Sequence, residues 1–330
     1  MSNELPKSQV DRSGPSDVAK GALAAMAALP ALPIDALLPD IARALTPATA
    51  GGAAANALVI EAPPGAGETT RVPRLLLELF SRPLGDRADG AAAGDIVVLE
   101  PRRLAAHLSA ARVAEECGEP LGERVGVQMR FQSIVGPRTR LRFVTEGVLM
   151  RQLLADPTLR GVRAVVLDEL HERHLATDLS LALLRRLQGG PRPDLLLLAM
   201  SATLHGAKVA EYLGGCPLLR SEGRTFPVEI SYLPGEPDDP LWVRTRAALR
   251  SVLGAGTARP DEGDVLVFLP GAAEIRRCQD ELAALAEERG LWVLPLHGDL
   301  PFDDQRRAVA ATTMGPGGGR RRKVILATNV

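Results

Sequence analysis

Val165-Val166-Leu167-Asp168-Glu169-Leu170-His171-Glu172-Arg173 is an apolar run that ends in two adjacent carboxylates, with a histidine shortly after them. A continuous run of β-branched residues and leucine reads as a strand covered on both faces of a parallel sheet, and the ligands of such sheets bind beyond the carboxyl ends of the strands. Asp168 and Glu169 are therefore expected at the mouth of a site. Upstream, Glu61-Ala62-Pro63-Pro64-Gly65-Ala66-Gly67-Glu68-Thr69-Thr70 stands between the apolar run at 57–60 and a leucine-rich helical pattern. Strand, glycine-rich turn and helix in that order are the setting a phosphate-binding loop requires.

Working outward, strands are expected at about 56–61, 95–100, 124–129, 140–145, 162–168 and 195–200, and helices at 69–80, 104–116, 146–154 and 178–187. This alternation indicates an α/β fold on a parallel sheet. Pro73 falls in the first turns of its helix, where a missing amide is tolerated. Ahead of the first strand, LPIDALLPDIARAL (32–45) has helical spacing, with Asp35 placed as an N-cap and Pro39 as an interruption. Residues 1–30 mix Ser, Pro, Asp and Lys before an alanine tract and read as a disordered lead with room for one short helix.

The segment 85–94 reads as a surface loop. The pattern breaks near 222–227, which divides the chain into a first domain over 31–222 and a second over 223–330. The second carries expected strands at 264–269, 291–296 and 323–328, a helix at 272–288, and a flexible basic loop, GPGGGRRR (315–322). A sheet of this class continues beyond its last strand here, so the second domain is expected to be incomplete at Val330.

The totals narrow the function. With 46% hydrophobic residues the 330-residue chain has the composition of a globular protein, but only 3% are aromatic, so its cores must be built from Leu, Val and Ala. A net charge of −1 and a pI near 6.6 argue against a protein held on nucleic acid by bulk charge, leaving a local basic channel. Cys117, Cys216 and Cys278 have no metal-ligand spacing and suit a reducing cytoplasm. No apolar run is long enough for a membrane span, and no secretory leader is seen. Only four of the 39 basic residues are lysines. An arginine-rich chain suits phosphate chemistry, and arginine with alanine enrichment equally reflects genomic base composition.

In a phosphate loop the stretch Gly65, Ala66, Gly67, Glu68, Thr69, Thr70 would wrap backbone amides around a nucleoside triphosphate, helped by the helix dipole. The Thr69 hydroxyl would coordinate Mg2+, Asp168 would hold the same ion through water, and Glu169 would orient and deprotonate the attacking water. Measured against G-x-x-x-x-G-K-[ST], Ala62 replaces the first glycine and Glu68 replaces the lysine. The second change is severe: a unit charge at about 4 Å and an effective dielectric near 20 contributes roughly 4 kcal/mol, so reversing its sign costs on the order of 8 kcal/mol before relaxation. Arg71, almost a helical turn on, is expected to lie too far away to substitute.

The ordered blocks resemble the superfamily 2 DEAH-box helicases and, within them, the bacterial HrpB-type ATP-dependent RNA helicases. They are APPGAGETTRVP from Ala62, LEPRRLAA from Leu99, VTEGVLMR from Val144, VVLDELHERHLATDLSLALL from Val165, MSATL from Met200, FLPGAAEI from Phe268, LHGDL from Leu296 and VILATNV from Val324. The acidic block reads Asp-Glu-Leu-His where the family has Asp-Glu-Ala-His.

The resemblance implies tandem RecA-like domains that use ATP and Mg2+ to move on RNA. It assigns Arg102, Arg103 and the Thr145-Glu146-Gly147 turn to the RNA backbone, Ser201 and Thr203 to coupling phosphate release to domain movement, and His171 to linking the ATP site with that block. From the second domain it assigns Gly271, His297, Gly298 and Thr328 to RNA, with Asn329 near the cleft. The family's arginine-finger block, Gln-x-x-Gly-Arg-x-Gly-Arg, has no counterpart before Val330.

Read without the family, Ser201 and Thr203 could simply cap the next helix, His174 reads as a helix-terminal residue, His107 and His205 as surface residues, and 320–323 as a solvated loop. Two further functional readings stay open: a catalytically impaired RNA-binding protein, favoured by Glu68, and a DNA-directed motor, since backbone contacts need only a 2′-hydroxyl to prefer RNA.

Overall fold

A computed structural model describes residues 15–46, 55–80, 94–202, 206–223, 226–235, 238–254, 263–310 and 321–329. The chain falls into two compact units, Met1–Phe226 and Pro227–Val330.

The first unit begins with α1 (Pro15–Met26), a 3-10 turn (Pro33–Leu37) and α2 (Leu38–Leu45). Then come β1 (Ala57–Glu61), α3 (Glu68–Phe80), β2 (Asp95–Leu99), α4 (Arg103–Glu116), β3 (Val125–Met129), β4 (Gln132–Ile134), β5 (Leu141–Val144) and α5 (Glu146–Ala155). It continues through β6 (Val162–Leu167), a second 3-10 turn (Leu170–Glu172), α6 (Leu175–Gln188), β7 (Leu196–Ser201), α7 (Gly206–Tyr212) and β8 (Leu218–Arg220). The strands form one sheet in the order β4-β3-β5-β2-β6-β7-β1-β8, parallel throughout except for the β3–β4 pair.

β6 shows why the apolar run is continuous. Ala164 and Val166 enter one apolar cluster and Val165 and Leu167 the opposite one, so a polar residue on either face would lose a buried contact. Burial of Val165, Val166 and Leu167 stabilises the fold by about 1.5–3 kcal/mol each.

Several expectations are corrected. The one short helix for which the lead had room is α1, Pro15–Met26, and it is packed rather than loose: Val18, Ala22 and Met26 on one face join the core that also receives Leu75 and Leu76; residues 1–14 lie outside the described residues. Pro39 does not break the 32–45 helix but resets it, from a 3-10 turn into α2, where it occupies a first-turn position that needs no amide partner. Asp35 is not the N-cap. Leu32 is, and Asp35 reaches back to accept the Leu32 N–H at 2.8 Å. α6 starts at Leu175, ahead of Asp178. His107 is buried rather than on the surface, near Gln132 of β4. His205 and the 85–93 loop lie outside the described residues.

In the second unit α8 (Leu241–Leu253), β9 (Val265–Phe268), α9 (Ala272–Arg289), β10 (Trp292–Leu296), α10 (Phe302–Val309) and β11 (Lys323–Ala327) surround a parallel sheet ordered β10-β11-β9. Ile275, Cys278, Leu282 and Leu285 recur at helical spacing along α9 and pack with Leu249 and Leu253 of α8. Lys323, expected in a solvated loop, is buried: its ammonium donates to the carbonyls of Ala308 (2.9 Å) and Ala310 (2.6 Å) at the end of α10. Arg320 and the glycine run before it lie outside the described residues. Among the described residues no helix is long and apolar enough to cross a membrane.

Candidate functional site

β1 and β6 flank β7, all three parallel, so the loop after β1 and the carboxylates after β6 emerge at the same edge of the sheet. Gly65 and Gly67 hold φ of 81° and 97°, left-handed values that disfavour any residue with a Cβ. At Gly67 a Cβ would also stand 2.5 Å from Leu32 Cδ1. The Ala66 N–H donates to Pro63 O, the Gly67 carbonyl accepts from Arg71 N–H at 3.0 Å to start α3, and the Ile34 N–H donates to Ala66 O, tying the 3-10 turn behind the loop. The two threonines are not equivalent. Thr70 donates its hydroxyl to the Gly67 carbonyl, whereas the Thr69 hydroxyl faces Asp168 and eases its charge.

Asp168 is buried, and its Oδ1 accepts the N–H of Glu169 at 2.8 Å while Oδ2 has no hydrogen-bond partner. Glu169 itself sits in the left-handed region, φ 52°, an uncommon conformation for a residue with a side chain and one that turns the chain sharply out of the sheet. His171 joins the next element: its Nδ1 accepts the Ala202 N–H at 3.2 Å, leaving Nε2 to carry the proton 3.3 Å from Glu169 Oε2. Ser201, at the end of β7, offers its carbonyl to Ala62 N–H at 3.1 Å. The loop, the acidic pair and the Ser201-Ala202 step are thus joined by hydrogen bonds. Thr203 lies outside the described residues.

Carboxyls crowd this edge. Burial pushes Asp168 up to about 7, with the Thr69 hydroxyl acting against it and Glu169 and Glu68 adding repulsion. Glu100, just past β2, is pushed to about 8 by burial and then by Asp168, with Glu169 and Glu172 contributing and the Arg102 amide opposing. Glu68 is also raised, first by burial and then by Glu169, while the amides of Glu68 and Gly67 draw the other way.

A divalent cation fits this setting. A buried, unpartnered carboxylate oxygen faces a hydroxyl, and negative charge is in excess. Among the described residues no three His, Cys, Asp or Glu side chains are assembled around one point. The ion would therefore take phosphate and water oxygens besides Thr69 and Asp168, as Mg2+ does in nucleotide sites. The backbone of the loop fits a phosphate; the side chain of Glu68 does not. Arg71 supplies no replacement cation: it is 1% exposed and bound to Glu116 at 2.6 Å and Asp35 at 3.1 Å.

The residues assigned to RNA in this unit lie along the same edge. Arg102 pairs with Glu172 and donates its N–H to Glu100 Oε1 at 3.1 Å, Arg103 opens α4 and is exposed, Thr145 is the N-cap of α5, and Gly147 is exposed with open space around it. Sequence reasoning missed the connection between these blocks. His174, read as a helix-terminal residue, stands 3.5 Å from Glu172 and 3.3 Å from Glu146, which also accepts the Thr177 hydroxyl at 2.6 Å. Glu61 was missed as well: its buried carboxylate accepts from Gly206 N–H at 2.6 Å and from Arg220 at 2.5 Å. The available signal was a carboxylate closing an otherwise apolar strand.

In the second unit Gly271 caps α9 after β9, His297 and Gly298 follow β10, and Thr328 follows β11, donating its N–H to Leu296 O at 3.0 Å. The parallel register gathers all four beyond the carboxyl ends of three adjacent strands, and Asn329 is exposed beside them. Nδ1 of His297 is buried without a hydrogen-bond partner.

A glycine loop running into a helix, an acidic pair one strand away and a mostly parallel sheet define a P-loop, RecA-like α/β fold. No family model matches the sequence. The chain is 43% identical over 303 residues to the ATP-dependent RNA helicase HrpB of Escherichia coli (strain K12), covering 91% of this chain and 34% of that protein. It is 37% identical over 273 residues to the probable ATP-dependent RNA helicase DHR2 of Saccharomyces cerevisiae, covering 81% and 35%. Among solved structures, that of the Escherichia coli DEAH/RHA helicase HrpB superposes with a TM-score of 0.71 at 42% identity, over 91% of this chain and 35% of that one. A second, of the Escherichia coli DExH-box NTPase HrpB, gives 0.65 at 42% identity, covering 92% and 34%. The chain thus spans about a third of the length of these relatives. Over that span its sequence and fold are similar to those of HrpB-type DEAH/RHA helicases.

Proposed function

We propose that this chain is the ATP- and RNA-binding core of an ATP-dependent RNA helicase, working in the cytoplasm. The observation that carries the reading is the single sheet edge that holds the Gly65–Thr70 loop, the Asp168–Glu169 pair and the Ser201-Ala202 step, with the pair and the step joined through His171. The loop amides would bind phosphate, Thr69 and Asp168 would hold Mg2+, and Glu169 would take the proton of the attacking water. Mg2+ supplies charge stabilisation on the transferred phosphoryl group.

His171 holds Glu169 on one side and the Ala202 amide on the other. A shift at the acidic pair is thereby transmitted to the segment after β7, the coupling step of the proposal, in which Thr203 takes part with Ser201. Arg102, Arg103, Thr145 and Gly147, and in the second unit Gly271, His297, Gly298 and Thr328, would hold the sugar-phosphate backbone without reading sequence. The relatives named RNA helicases support RNA over DNA as the polymer.

The domain division of this proposal is a nucleotide-binding domain over 31–222 and a second helicase domain over 223–330. Glu68 withholds the cation that hydrolysis needs, so turnover belongs to the chain only once that residue is changed.

The test is RNA binding and RNA-stimulated ATP turnover by the chain and by Glu68→Lys. RNA binding by both, falling steeply with salt, with stimulated turnover appearing only in the variant, supports the proposal. No RNA binding by either, or stronger binding to matched single-stranded DNA, contradicts it.

A further inference from the structure

We propose that His174 is a positioning residue for the RNA-binding edge: its imidazolium bridges Glu146 and Glu172, which sets the Thr145-Glu146-Gly147 turn against Arg102 and weakens the hold of Glu172 on that arginine. The inference rests on the RNA reading above and adds a residue which that reading does not use.

His174 is the N-cap residue of α6, yet its side chain makes no capping hydrogen bond to that helix. The ring turns instead between carboxylates of two other elements. Nδ1 is 3.3 Å from Glu146 Oε1 at the start of α5, and Nε2 is 3.5 Å from Glu172 Oε2 in the turn after β6. A neutral imidazole has one N–H and would turn a lone pair on one of the two carboxylates, whereas the imidazolium has two N–H groups and suits both.

The other charged groups here are already engaged. Glu146 also accepts the Thr177 hydroxyl at 2.6 Å, Glu172 Oε1 pairs with Arg102, and Arg173 is bound to Asp178 at 2.8 Å. Glu172 Oε2 is buried without a hydrogen-bond partner, so the imidazole is the group placed to compensate its charge.

Both ends of this bridge carry residues assigned to RNA. Glu146 lies between Thr145 and Gly147, and Glu172 holds Arg102. A carboxylate on Arg102 competes with an RNA phosphate for the same guanidinium, and a second cation on the other carboxylate oxygen weakens that competition. Without the ring's charge, Glu146 and Glu172 would also repel each other across the place it fills. The grip on the RNA backbone should therefore tighten when His174 is protonated.

Fluorescence anisotropy with a labelled single-stranded oligouridine, at constant ionic strength from about pH 8 to about pH 6, tests this on the 330-residue chain and on His174→Gln. Asp168 and Glu100, raised to about 7 and about 8, titrate in the same window in both proteins, so the readout is the difference between them. Wild-type affinity should rise by about threefold more than that of His174→Gln, the scale of one partly exposed ion pair. The gap should close when Glu146→Gln and Glu172→Gln are present in both proteins. Equal pH responses of wild type and His174→Gln overturn the proposal. So does a gap that survives the loss of both carboxylates, because the ring would then act on RNA directly.

His174→Arg gives a second readout that leaves Glu146 and Glu172 in place. Its permanent cation should keep, at about pH 8, the affinity that wild type reaches at about pH 6, and affinity as weak as that of His174→Gln overturns the proposal. Absence of RNA binding by the wild-type chain at every pH removes the RNA reading itself, and the inference with it.

Discussion

Replacing Glu100 with glutamine should flatten the pH dependence of stability. Glu100 is 2% exposed, its Oε1 accepts the Arg102 N–H at 3.1 Å, and it shares its surroundings with Asp168, Glu169 and Glu172. Its carboxyl is raised from 4.5 to about 8. The unfolded chain therefore releases this proton near pH 4.5 while the folded chain keeps it to about 8. Between those values the folded state binds more protons, so its advantage is complete below pH 4.5, shrinks as pH rises and is gone above 8. The full shift corresponds to about 5 kcal/mol, of which roughly 3 kcal/mol is lost by pH 7. Glutamine keeps the acceptor for Arg102 and cannot ionise. Urea unfolding at several values from pH 5 to pH 8.5 should show wild-type stability falling by some kcal/mol and Glu100→Gln falling much less, with the residual slope due to Asp168. Equal slopes for the two proteins would refute the reasoning.

Two other changes test the rest of the first unit. His171→Ala leaves the half-buried Ala202 N–H without its acceptor, and stability should drop by about 1 kcal/mol in urea unfolding. Placed in the Glu68→Lys background, the same change should remove the stimulation of ATP turnover by RNA; undiminished stimulation argues against His171 as the link. Arg71→Met strands the 2%-exposed side chain of Glu116, still 2.9 Å from Arg112, and should cost about 3 kcal/mol by urea midpoint, with most of it recovered in Arg71→Met/Glu116→Leu. A loss below about 1 kcal/mol would show the pair to be dispensable.

The parts of the fold that could be read from the sequence are those where one local pattern decides the outcome. β6 is apolar at every position because both of its faces are covered, and the loop after β1 needs glycine at two positive-φ positions, so both announced themselves. β4 and β8 did not: three residues give too few side chains for a period to appear, and each is an outer strand of the sheet. α8, WVRTRAALRSVL after its first leucine, was hidden because its charged residues obscure the Thr245, Leu249 and Leu253 stripe that it buries.

Site residues divided along the same line. Asp168, Glu169, Gly65 and Gly67 sit in contiguous motifs, whereas Glu61, Glu100, Glu172 and His174 matter through partners that only the tertiary fold brings near. Lys323 misled for a related reason. A buried ammonium looks like any surface charge until its carbonyls are known.

The most direct measurement is a crystal structure of Glu68→Lys with Mn2+ and a non-hydrolysable ATP analogue, located by the anomalous signal of the metal. The account predicts one ion bound directly by Thr69 Oγ1 at about 2.0–2.3 Å, held through water by Asp168 and touching the phosphates cradled by Gly65–Thr70. Phosphates lodged elsewhere on the sheet, or a metal that touches neither Thr69 nor Asp168, would contradict it.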